Sequence, residues 1–171
     1  MRRIVFLDID GVLNSKRFHR ERDEACPESE STYDLDWQLD CVAVARLNRL
    51  IAATEAKIVI SSSWRTLLDP SELKRILVEH GLLAEIIGAT PHKAPEMLAR
   101  YGSFNVRGHE IDYWLRKHPD VDRFVILDDD ADMDMHSNRL VQTDCAEGLL
   151  DEHVELAIRM MAVPFDALEG R

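Results

Sequence analysis

The stretch Arg3-Ile4-Val5-Phe6-Leu7-Asp8-Ile9-Asp10-Gly11-Val12-Leu13 decides how the rest of the chain is read. Arg3 to Leu7 is short, almost wholly apolar and carries β-branched residues, the pattern of a strand buried on both faces in a parallel sheet. Two carboxylates follow, one residue apart. Residues i and i+2 leaving a strand point roughly the same way, so Asp8 and Asp10 are expected to face one point above the strand's end. Gly11 permits a sharp turn and a close approach to the backbone. Two acids aimed at one place repel unless a cation or a shared proton intervenes, which predicts a metal site or an acid/base pair. The plainer alternative is a turn capped by Asp, an ordinary use of Asp and Gly.

Outward from this stretch, Asn14 to Asp34 is polar, charged and nearly free of apolar periodicity. Residues 14–34 are expected to form a flap or loop insertion, either covering the site or a solvated excursion. As a flap, it would bring Lys16, Arg17, His19, Arg20 and Arg22 to an anionic substrate. From Asp36 to Thr54 the spacing of Leu39, Val42, Ala43, Leu47, Leu50 and Ile51 predicts an amphipathic helix, with Trp37 on its core side. Lys57 to Ile60 is a second buried strand, ending in Ser61-Ser62-Ser63-Trp64-Arg65. Asp69-Pro70 opens a helix that runs to about His80 and stops at Gly81. Glu85 to Gly88 reads as a strand, residues 90–95 as loop, and Arg107 to Lys117 as a helix stopped by Pro119. Arg123 to Leu127 is another apolar strand, ending in Asp128-Asp129-Asp130. Leu140 to Gln142 and Asp151 to Met161 give a last strand and a closing helix.

Strands alternating with helices predict an α/β fold, a three-layer doubly wound (Rossmann-like) parallel sheet, in a single domain over residues 1–171. Hydrophobic residues at 46% and charged residues at 31% describe a soluble globular chain. Lys plus Arg number 21 against 32 Asp plus Glu, a net charge of -11, which argues against tight non-specific nucleic-acid binding while leaving room for a local basic patch. Cys26, Cys41 and Cys145 show no paired spacing, so no disulfide partner and a cytoplasmic location are expected. No apolar run approaches the roughly 18 residues of a membrane span, and Asp8 breaks the only run that resembles a signal peptide.

In a doubly wound sheet all strand carboxyl ends share one edge, so Asp8/Asp10, Ser61 to Arg65 and Asp128/Asp129 are expected to meet. Four converging carboxylates suit a hard cation, and oxygen-only ligands point to Mg²⁺. The hydroxyls and amides of Ser61 and Ser62 suit phosphate oxygens, with Arg65 as a charged clamp. An acid-lined metal site beside an anion-binding corner is the equipment of phosphoryl transfer.

These motifs resemble those of the haloacid dehalogenase (HAD) superfamily of aspartate-nucleophile phosphatases. Asp8-Ile9-Asp10-Gly11 matches its first motif, Ser61 its second and Asp128-Asp129 its fourth. For its basic third motif Arg107 is the choice, in Arg107-Gly108-His109-Glu110-Ile111, with Lys93 as runner-up and a plain surface cation as the alternative. The wording around Ser62-Ser63-Trp64-Arg65 and Arg107 is similar to the small HAD domains associated with RNA end repair. The resemblance implies Asp8 as nucleophile and Asp10 as general acid and base. It also implies a Mg²⁺ held by Asp8, the Asp10 carbonyl and one or both of Asp128 and Asp129, with Asp132 in reserve. Trp64 either stacks on a base or packs.

Neither residues 14–34 nor the 81–107 stretch is long enough for a large cap domain. An uncapped site implies a macromolecular or terminal phosphate, such as a nucleic-acid end or a phosphoprotein, with a nucleotide-like small molecule as the alternative. A receiver-type signalling domain is excluded by the order of its acids. A catalytically silent HAD-like binding module remains the reading from another class.

Overall fold

The structure is a computed structural model and describes residues 2–25, 37–92, 94–102 and 106–164. Lys93 and the second half of the expected flap lie outside these residues. Five parallel strands, β1 (Arg2–Leu7), β2 (Lys57–Ile60), β3 (Ile86–Ala89), β4 (Val121–Asp128) and β5 (Leu140–Gln142), form one sheet in the order β3-β2-β1-β4-β5. β1 is therefore central. Its register pairs Leu7 with Ile60 on one side and with Leu127 on the other, so Asp8, Ser61 and Asp128 leave the sheet at the same level.

Among the described residues six helices flank the sheet: α1 (Lys16–Ala25), α2 (Cys41–Thr54), α3 (Pro70–Glu79), α4 (Pro95–Tyr101), α5 (Arg107–Arg116) and α6 (Asp151–Met161). The pleat sends Val5 and Leu7 to a core shared with α2, α3 and α6, while Ile4 and Phe6 face a smaller core with α5. In that smaller core Phe6 meets Trp114 and Phe124 edge-on, with ring centroids 5.4 and 5.7 Å apart. Such pairs add about 0.5–1.5 kcal/mol beyond area burial. The architecture is the expected Rossmann-like α/β fold without a large cap: the described residues between β1 and α2 hold only α1, ten residues long.

Three local expectations change. The polar stretch after β1 contains a helix where a loop was expected. α1 buries no residue, so hydrophobic periodicity could not reveal it. It is instead started by Ser15, whose Oγ accepts from the Phe18 amide at 3.1 Å, and tied down by the Lys16 and Arg17 amides donating to the Cys145 and Ala146 carbonyls. α2 starts at Cys41 because the Asp40 carboxylate caps it through the Val42 amide, and Trp37 precedes the helix, stacked edge-on against Trp64. α4, opened by Pro95, starts at the last residue of the expected 90–95 loop, and no element was expected over the rest of it.

Candidate active site

At the end of β1 the chain turns over Gly11, whose φ is +71° and whose position leaves no room for a Cβ. One built there would lie 2.5 Å from the Asp129 carboxylate. The glycine thus serves the close approach of two loops as much as the turn. Oxygens of Asp8, Asp128 and Asp129 lie within 4.8 Å of one another. Asp8 and Asp128 are buried, and Asp129 is half-buried.

Among the described residues one cation faces them. Arg107, at the first position of α5, places Nη2 4.0 Å from Asp8 Oδ1 and Nε 3.5 Å from Asp128 Oδ2. The start of α5 is brought this close by Gly108, where a Cβ would sit 2.0 Å from the Met133 carbonyl oxygen. Asp132, the reserve metal ligand, is instead a cap for α5: its carboxylate accepts from the Arg107 amide at 3.0 Å.

Charge in the cluster is undercompensated. Burial raises the Asp8 pKa, against the opposing effects of Arg107 and a hydrogen bond from Ser62. Burial and then the neighbouring Asp8 push Asp128 up to about 7, and burial followed by Asp130 raises Asp129. Asp128 Oδ2 is buried and has no hydrogen-bond partner among the described residues. A buried carboxylate oxygen met only by Arg107 at 3.5 Å among the described residues, beside two further carboxylates, is a donor set that fits a hard divalent cation such as Mg²⁺.

Asp10 does not join this cluster. Its carboxylate is turned aside and held at both oxygens, accepting from Asn14 Nδ2 at 3.0 Å and from Trp64 Nε1 at 2.9 Å. Asn14 in turn accepts from the Gly11 amide at 3.2 Å, locking the turn. Three carboxylates converge, therefore, where four were expected. Trp64 is buried and spends its indole N–H on Asp10, so it packs and does not present a face for stacking. Asn14 went unnoticed in the sequence, although its place four residues after Asp10 was the available signal.

The two serines diverge. Both are fully buried, but Ser62 bonds Asp8 and also accepts from the Trp64 amide, which it caps, whereas the Ser61 hydroxyl has no partner among the described residues. Arg65 is not free to clamp an anion. Its Nε donates to the Thr90 carbonyl at 3.0 Å, its Nη1 to the Ser61 and Ser62 carbonyls, and its Nη2 to buried Glu110. It staples the ends of β2 and β3 to α5. Glu110, not singled out by sequence, also faces His92 Nδ1 at 3.2 Å.

A β3-β2-β1-β4-β5 parallel sheet with acids at the ends of β1 and β4 and a basic residue opening the preceding helix is the HAD arrangement. Over residues 4–154 the sequence matches the family described as the HAD domain in Swiss Army Knife RNA repair proteins, and the chain belongs to that family. Membership supports a phosphatase-like role. No curated protein and no solved structure gives a significant match.

Proposed function

We propose that the chain is a Mg²⁺-dependent phosphomonoesterase that works through a phospho-aspartate on Asp8 and acts on a terminal phosphate of nucleic acid, an RNA end being the substrate the family description favours. The observation that carries this reading is the division of labour at the sheet edge. Three acids and Arg107 gather at one point, while a fourth acid, Asp10, is held apart by Trp64 and Asn14.

The Asp8 carboxylate attacks phosphorus, and the ester oxygen leaves with a proton from Asp10. Asp10 then takes a proton from the water that hydrolyses the acyl phosphate, which returns Asp8 and releases phosphate. Arg107 meets the phosphate oxygens beside Asp8, joined by the Ser61 and Ser62 hydroxyls. Arg65 is a positioning residue: with its donors spent on Ser61, Ser62, Thr90 and Glu110, it fixes the phosphate-facing turn and is not free to hold the phosphate. Asp8, the Asp10 carbonyl, Asp128 and Asp129 would hold Mg²⁺, whose charge offsets the repulsion between a carboxylate nucleophile and an anionic ester. Cys41 and Cys145 are free thiols, in keeping with a reducing compartment such as the cytoplasm.

Phosphate release from an aryl phosphate tests the reading. Turnover with Mg²⁺ is expected, abolished by EDTA and reduced about 10³-fold or more in Asp8→Asn. Turnover that persists in Asp8→Asn removes the phospho-aspartate mechanism. Absence of turnover on aryl phosphates and phosphorylated RNA alike moves the silent binding module to the front.

A further inference from the structure

Two cavities continue from the catalytic edge, and the chemistry above uses neither. The first, about 160 Å³, is lined by Ser63, Thr66, His92, Arg107, Glu110 and Asp132. Arg107 belongs both to this cavity and to the acid cluster, so a group attached to a phosphate held there can enter it. At about 30 Å³ per water the space holds roughly five waters, enough for a sugar ring and too little for a nucleoside. Its hydroxyls, imidazole and carboxylates suit a neutral polyol.

The second cavity, about 540 Å³, runs between the start of α3 and edge strand β3, with walls from Leu68, Pro70, Leu73, Ile86, Ile87 and Ala89. Arg65 and His92 line both cavities, which makes them neighbours along the sheet edge. Within this apolar slot Thr90 is 3% exposed, and its Oγ1 has no hydrogen-bond partner among the described residues. Buried hydroxyls left unpaired are rare and call for an explanation. A predominantly apolar slot with a few polar groups, here Thr90 with Ser71, Lys74 and His92, is the usual form of a small-molecule site, and its walls suit the apolar faces of a base.

We propose that these cavities seat the terminal nucleoside of the substrate, with its sugar hydroxyls against Ser63, Thr66 and Asp132 and its base in the β3 slot, where Thr90 Oγ1 meets a base heteroatom. The placement of the phosphate rests on the phosphatase reading; the two cavities do not. The same nucleoside phosphate unit is presented by a free nucleotide and by the end of an RNA strand.

Calorimetric binding to Asp8→Asn protein, which needs no turnover, tests this with adenosine 3′- and 5′-monophosphates, ribose 5-phosphate and a phosphorylated pentaribonucleotide. One adenosine monophosphate is expected to bind about tenfold tighter than ribose 5-phosphate, the ratio for burying about 60 Å² of apolar base. Filling the slot with Ala89→Phe, or from the opposite wall with Ser71→Trp, is expected to bring that ratio down to about one. Equal affinity for the adenosine monophosphates and ribose 5-phosphate, or a preference that survives both fillings, overturns the proposal. Tighter binding of the pentaribonucleotide assigns the site to a strand end, and equal binding assigns it to a free nucleotide. Failure of the phosphatase reading is seen separately, as absence of phosphate release from the wild type.

Discussion

Asp128, at the end of β4, and Asp112, on the flank of α5, are both buried acids, yet their environments act in opposite directions. Around Asp112, burial tends to raise the pKa, but the Tyr101 hydroxyl and Arg116 Nε, the latter at 2.7 Å, more than offset it and leave the carboxyl below its usual range. His136 Nε2 adds a third neighbour at 3.4 Å. Around Asp128, burial is joined by Asp8 and countered chiefly by Arg107, and the carboxyl rises to about 7. The fold thus has the means to neutralise a buried acid and does so on the flank, while at the sheet edge, among the described residues, it leaves three acids facing one arginine. Undercompensated charge of this kind marks a functional site more than a structural one.

The comparison can be broken most severely at Arg107. Arg107→Ala is expected to lower kcat/KM for an aryl phosphate about 10²- to 10³-fold, as the loss of a transition-state donor does. A change within a few-fold would show that the acids and the added metal suffice without it.

Stability against pH gives the next largest effect. The Asp128 pKa is raised in the folded state, from 3.8 to about 7, so its contribution to stability is full below about pH 4 and is lost as pH rises towards 7. The loss is bounded at about 4 kcal/mol. Urea unfolding in EDTA is expected to show wild type more stable at pH 5 than at pH 8, with the difference reduced in Asp128→Asn and by added Mg²⁺. Asp112 has the opposite sign: its contribution is present above pH 4 and lost as pH falls, so it adds nothing to the slope between pH 5 and 8.

Removing the flank acid sharpens the contrast further. Asp112→Ala is expected to cost about 1–3 kcal/mol in urea unfolding, because Tyr101 and Arg116 lose a buried acceptor, while turnover stays unchanged. The smallest expected effect concerns the acid that stands apart. Trp64→Phe keeps an aromatic ring but removes the fused five-membered half of the indole together with the N–H held by Asp10, which is expected to lower kcat about tenfold with little change in KM. A loss confined to KM would move Trp64 from orienting the proton carrier to shaping the substrate site.

Much of this was legible in the amino-acid order because it is local. Apolar runs at residues 3–7, 57–60 and 123–127 could only be buried strands. Their following residues had to share an edge once the strands were parallel, which put Asp8, Ser61 and Asp128 at one level. Capping by Asp69 and Pro70 fixed the start of α3 in the same local way. Helix α1 was not legible, because a helix that buries nothing leaves no periodic trace.

What the sequence alone determined is therefore the α/β alternation, the parallel sheet and the set of acids at its carboxyl edge, since each follows from side-chain period and strand direction over a few residues. Only the tertiary structure decided how those groups divide their work. Trp64 claims Asp10 from 54 positions away, and Glu110 claims Arg65 from 45, which turns an expected metal-facing acid aside and an expected phosphate clamp into a staple. Such pairings depend on which hydrogen-bond partners packing brings within about 3 Å, a condition that no local pattern of residues encodes.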